Sequence, residues 1–170
     1  MTENINHQIF ELDQNILTFD ITKGLLYCKT YEESLLWVKK VKDVSEILDV
    51  QEDQSSYYIS CSLDDIEGEM LSIDKEDGNT KWYIPGKPFF QKLFDKYIYT
   101  IFMDSTEQHY LLKVDLEDGS TIWHHRIEND LSEYIISKDK IELTYSSGRI
   151  EGLSVKSGQI IYQSQEKTDA

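Results

Sequence analysis

Twelve residues from Leu71 to Trp82, LSIDKEDGNTKW, return as LKVDLEDGSTIW from Leu112 to Trp123. The copies agree at the leucine, at Asp74 and Asp115, at the pairs Asp77-Gly78 and Asp118-Gly119, and at a tryptophan four residues past each glycine. Such a repeat constrains the fold more than any single residue does, because each copy must build the same supersecondary unit and bury its apolar face against the next. Two weaker copies extend it. Around Gly158 the chain reads GLSVKSGQIIY, with Tyr162 where tryptophan stands elsewhere; around Glu33 it reads YCKTYEESLLW, with Trp37 in register and glutamate in place of glycine. The aromatic positions lie 45, 41 and 39 residues apart. Four units of about 42 residues therefore fill the chain.

Inside each unit the apolar residues alternate, which is the period of a strand rather than of a helix. In the third unit the spacing predicts strands over 89–94, 97–103, 109–116 and 121–127, separated by turn-forming residues. Asp-Gly between two strands is a strong hairpin signal, since glycine takes the positive φ of a tight turn at little steric cost. The expectation is an all-β, propeller-like chain of about four blades, each of four antiparallel strands. The blades fall at 7–41, 44–84, 89–127 and 133–164, in a single domain over 1–170, with no helix. Pro85 and Pro88 fall in the link between the second and third blades, where no ladder donor is lost. The polar tail 165–170 is expected to fray.

The segments Ser72-x-Asp74-x-x-Asp77-Gly78-x-x-x-Trp82 and Lys113-x-Asp115-x-x-Asp118-Gly119-x-x-x-Trp123 resemble the tryptophan-docking motif of the quinoprotein (pyrroloquinoline-quinone-like) β-propellers. The resemblance implies that the tryptophan packs between adjacent blades while aspartate and turn hold each other. It makes Trp37, Trp82, Trp123, Tyr162, Asp74, Asp115, Gly78, Gly119 and Gly158 structural residues. The departures are as informative. Enzymes of that family are several times longer and sandwich their cofactor with a disulfide of adjacent cysteines beside a calcium site. This chain has no adjacent cysteines and about half the blades. The resemblance thus speaks for the fold and against a quinone-dependent enzyme.

Thirty-two acidic against 17 basic residues leave a formal charge of −15. That field repels a nucleic-acid backbone or an anionic membrane and draws in a basic protein. No basic start followed by an apolar run opens the chain, and no stretch is long and apolar enough for a membrane span. Cys28 and Cys61 sit apart in alternating apolar stretches and read as reduced core thiols. A cytoplasmic location is the expectation. The Asp-rich turns at 74–78 and 115–119 collect oxygens, but the glycine comes too early for a calcium loop and no closing glutamate follows. His124 and His125 would point to opposite faces of a strand, a poor chelating pair. No phosphate loop, nucleophile elbow or Cys/His pair is present. No catalytic, metal or cofactor residues are assigned.

An up-down meander places the second-to-third strand loops and the blade-to-blade links on one rim. That rim gathers Asp64, Asp65, Glu67, Asp104, Glu107, Glu128 and Asp130 beside Phe89 and Phe90, and it is the expected partner-binding surface. The competing reading makes both phenylalanines core. The functional expectation is a non-enzymatic binder of a basic protein. In size and charge it resembles the small acidic immunity proteins that neutralise bacterial toxins, the partner then being a toxin nuclease. A scaffold or assembly factor is the alternative within binding proteins, and a small-ligand binder or enzyme with a central-channel site the alternative of another class. If four blades form an arc, two copies could pair head to tail as a homodimer.

Overall fold

The computed structural model describes residues 6–165; the expectation for the tail beyond 165 lies outside them. Among the described residues every regular element is a strand. The first sheet comprises β1 (His7–Glu11), β2 (Asn15–Asp20), β3 (Leu25–Thr30) and β4 (Leu35–Lys40), and the second β5 (Glu46–Glu52), β6 (Ser56–Ser62), β7 (Gly68–Asp74) and β8 (Thr80–Pro85). The third comprises β9 (Lys87–Phe94), β10 (Tyr97–Met103), β11 (His109–Asp115) and β12 (Thr121–Ile127), and the fourth β13 (Leu131–Ile136), β14 (Ile141–Tyr145), β15 (Arg149–Leu153) and β16 (Ile160–Gln165). Each sheet keeps its strands in sequence order, so every sheet is an up-down meander of four. The predicted fold class and blade count are those found.

Two compact units divide the chain between Pro88 and Phe89, each with two sheets. In the first, Leu17, Phe19, Leu26 and Cys28 of one sheet pack with Tyr57, Ile59, Cys61 and Ile73 of the next. Polar ties cross the same seam. The Gln8 side-chain amide donates to the Ile47 carbonyl at 2.9 Å and accepts from the Ile47 N–H at 2.7 Å, and Asn15 donates to the Tyr57 hydroxyl at 2.9 Å. In the second unit, Tyr99, Ile101, Leu111 and Trp123 pack with Ile136, Ile141, Leu143, Tyr145 and Leu153. Cys28 and Cys61 are buried free thiols.

Burial follows position in the sheet more than alternation along the strand. Strand β6 is buried at every residue, whereas β16 is exposed at every residue. A strand with neighbours on both sides and a covered sheet face loses water all round; a fourth strand has a free edge. The link around Pro85 and Pro88 also differs from expectation. Strand β8 runs through Pro85 and β9 starts at Lys87, leaving Gly86, at φ 133°, as the residue between them. Both prolines are accommodated within strand ends because only a non-donating position is needed there.

Candidate functional site

The repeated motif builds scaffold. The indole N–H of Trp37 donates to the Lys75 carbonyl at 2.8 Å, and its ring lies where a Cβ on Gly78 would stand, 2.6 Å away. Trp123 repeats this with the Val155 carbonyl at 3.0 Å and with Gly158, whose Cβ would approach its ring to 2.4 Å. Each indole thus reaches the turn of the following blade, and that turn needs glycine for both its positive φ and the close approach. The aspartates before the turns are bound to them. Asp74 accepts the Glu76 N–H at 2.8 Å, and Asp115 accepts the Glu117 N–H at 2.8 Å; Gly78 and Gly119 donate back to the carbonyls of the same aspartates. Backbone donation from Glu76, with Lys81 beside it, holds the Asp74 carboxyl below the usual range. Gly119 adopts φ 73°. Trp82 is buried and packs its ring 5.9 Å from that of Tyr58.

The fourth aromatic behaves differently. Tyr162 is 42% exposed, and its ring lies across Gly152 of its own sheet while its hydroxyl donates to Glu142.

A pocket of about 220 Å³ opens in the second unit. Strand β9 contributes Phe89 and Phe90, β10 contributes Ile101, the start of β11 contributes His109, and the segment from Ile127 to Tyr134 supplies the remaining lining residues. The rings of Phe89 and His109 lie 5.5 Å apart; Phe90 meets Tyr134 edge-on at 5.2 Å. Neighbouring bonds fix the frame. Thr100 donates to the Phe90 carbonyl at 2.7 Å, Gln108 to the Ile127 carbonyl at 3.1 Å, and the Leu131 N–H to the Glu128 carbonyl at 3.3 Å. The Nδ1 atom of His109 is buried and has no hydrogen-bond partner.

Three of the partner-binding residues expected from sequence, Phe89, Phe90 and Glu128, thus line one pocket. Phe89 is 55% exposed, whereas Phe90 is half-buried and packs against the core of the second unit, so the core reading holds for Phe90 and not for Phe89. Asp104 belongs to the turn leading into His109. The Thr106 hydroxyl at 2.7 Å and the N–H groups of Thr106 and Gln108 donate to it, and these bonds, with His109 nearby, hold its carboxyl below the usual range. Glu107, at φ 63°, and Glu128 are exposed and carry no ion pair among the described residues. The Asp130 carbonyl accepts the Ser146 N–H. Asp64, Asp65 and Glu67 belong to the first unit, on the β6–β7 turn. There Asp64 accepts the N–H groups of Ile66 and Glu67, while Lys87 donates to the carbonyls of Asp64 and Asp65. Asp64 and Asp104 are therefore turn-holding carboxylates, while the exposed side chains of Asp65, Glu67, Glu107 and Glu128 carry no ion pair among the described residues.

Sequence reasoning missed His109, Leu131 and Tyr134. No motif marks them, because His109 of β11 and Leu131 and Tyr134 of β13 lie far apart in sequence and only the folded sheets bring them together. It also missed a buried cluster around Glu151. His125 lies 3.1 Å from its carboxylate and the Tyr145 hydroxyl donates to it at 3.0 Å, while Arg149 approaches to 3.5 Å. Among the described residues no group of three or more His, Cys, Asp or Glu side chains is arranged to hold a metal.

No protein-family model matches the chain, and no curated protein matches it in sequence. Solved structures resemble it. BamB from Moraxella catarrhalis superposes with a TM-score of 0.60 at 16% identity, over 97% of this chain and 49% of that one. The quinohemoprotein alcohol dehydrogenase from Comamonas testosteroni gives 0.64 at 12% identity, over 95% and 35%. A europium-containing methanol dehydrogenase gives 0.61 at 8% identity, over 92% and 41%. The chain spans half or less of the length of these proteins. At such identities the likeness carries the fold alone, which is that of the PQQ-type β-propellers.

Proposed function

We propose that this chain is a non-enzymatic, protein-binding propeller whose partner is a basic protein, neutralised or sequestered as the small acidic immunity proteins do with bacterial toxins. The observation that supports it is a half-exposed phenylalanine, Phe89, beside an apolar pocket whose exposed carboxylate, Glu128, has no ion-pair partner among the described residues, with the exposed Glu107 on the turn before His109 unpaired likewise. Exposed aromatics rimmed by polar groups are the anatomy of a protein contact. A net charge of −15 adds long-range attraction for a basic partner. The docking tryptophans, in contrast, are occupied in holding blades together. A cytoplasmic partner such as a toxin nuclease fits this chemistry.

The test is affinity capture with the tagged full chain, followed by binding of the purified partner at rising salt. A basic protein, first sought among the products of neighbouring genes, should bind and lose affinity both at high salt and with Glu107→Lys plus Glu128→Lys. Relief of that protein's toxicity by co-expression would establish neutralisation; binding without relief would favour a scaffold role. Recovery of no basic protein would remove the proposal.

A further inference from the structure

The pocket beside Phe89 is small. At about 220 Å³ it falls below the roughly 300–1,000 Å³ of sites that enclose cofactors and drug-sized ligands. Its walls are predominantly apolar, with Phe89, Phe90, Leu131 and Tyr134 among the lining residues and the Phe90 and Tyr134 rings edge-on to each other. Aromatic surfaces of this kind favour another ring, packed offset or edge-on. Polar groups occur at defined points: Glu128, exposed and without an ion-pair partner, and His109, whose buried Nδ1 is unsatisfied. A buried polar atom without a partner is costly to the free protein, and a bound chain offers backbone N–H and carbonyl groups that can meet it.

We infer that the pocket is an anchor site for one aromatic side chain of the protein partner, carried on a segment that places lysine or arginine next to it. The inference rests on the protein-binding reading above and names the chemistry of the contact. One ring fills the cavity, excludes water from Phe89 and Tyr134, and acts as the central buried residue on which most interface energy concentrates. The adjacent cation meets Glu128 at the lip, and the overall charge selects against an acidic neighbour.

The experiment titrates the full chain with blocked dipeptides and follows backbone amides by 1H–15N NMR. N-acetyl-Trp-Arg-amide should shift amides at Phe89–Phe90, His109 and Glu128–Tyr134. N-acetyl-Trp-Glu-amide should bind about fivefold more weakly, the scale of one exposed charge contact, and N-acetyl-Ala-Arg-amide should leave these amides unmoved. Leu131→Trp, which fills the pocket, should abolish the shifts. Phe89→Ala alters an exposed position and should weaken them several-fold even if Leu131→Trp folds poorly.

Equal binding of the Trp-Arg and Trp-Glu probes overturns the inference. So does free indole binding as tightly as Trp-Arg, which would mark a small-ligand site, or dilution-dependent broadening of the same amides, which would mark a second copy. Capture of a basic protein equally by wild type and by both pocket variants also overturns it, while leaving the protein-binding reading in place. Failure of every form to capture one sinks that reading instead.

Discussion

A single missing Cβ decides how the blades meet. Gly158, at φ 69°, leaves room for the indole of Trp123, and Gly78, at φ 76°, does the same for Trp37. Alanine at Gly158 should therefore cost more than the ~1–2 kcal/mol of a left-handed backbone alone, because the ring must also move. Gly24→Ala is the comparison, since it shares the positive φ but meets only the Val41 carbonyl, at 3.3 Å. A smaller drop in urea midpoint for Gly158→Ala than for Gly24→Ala would contradict the packing argument.

The turn aspartates predict the acid response. Backbone donation from Lys23 holds Asp20 below the usual range, aided by His7. The N–H of Glu67 does the same for Asp64, that of Glu76 for Asp74, and the Thr106 hydroxyl for Asp104. A lowered folded value means the unfolded chain binds more protons on acidification. The stabilisation is then present above about pH 4 and lost as pH falls through the lowered values. Glu69 acts oppositely, since burial raises it and its contribution is lost as pH rises; against it stand these four and Asp53, Asp118 and Glu142, which are lowered too, so the lowered carboxylates dominate. The denaturation midpoint should fall steadily from about pH 5 to pH 3, and a flat profile would refute this.

At the scale of elements, strands β12, β14, β15 and β16 meet at one buried carboxylate. Glu151 of β15 is reached by His125 of β12, Tyr145 of β14 and, at 3.5 Å, Gln163 of β16. Arg149 lies over the Tyr145 ring, 4.3 Å from its centre. This cluster ties the third sheet to the fourth by polar contacts, as Trp123 and Lys113 do on the Val155 carbonyl. Removing the shared acceptor strands its donors, so Glu151→Ala should destabilise by about 3 kcal/mol, while His125→Gln, which removes one contact, should cost about 1 kcal/mol. Equal effects of the two in chemical denaturation would show that the carboxylate is not shared.

For the whole molecule, the two end blades matter. The docked rings meet glycine in the second and fourth blades, but the matching position in the first is Glu33, which takes φ 66° with a side chain attached. At the other end Tyr162 lies on its own sheet instead of projecting from it. Neither position therefore offers the glycine or the projecting ring that the second and fourth blades use. Head-to-tail pairing of two copies through the ring-and-glycine contact is therefore disfavoured, and light scattering should give the mass of one chain. Glu33→Gly with Tyr162→Trp restores both halves of the contact and should shift the mass upward with concentration. A dimeric wild type would overturn this reading.

The repeat was legible because local chemistry specifies it. Asp-Gly turns, period-two alternation and the recurring tryptophan each act within a few residues, and together they determined sixteen strands in four meanders. What the sequence could not contain was the meeting of residues far apart along it. His109, Leu131 and Tyr134 join Phe89 only after the sheet holding β9 and β11 meets the one holding β13, and Glu151 finds His125 only across two sheets. Nor could alternation tell that β6 would be covered on both faces while β16 stayed exposed, since a strand's burial depends on its neighbours in space. Local periodicity determined the elements; the packing of sheets decided which side chains became pocket, core or rim.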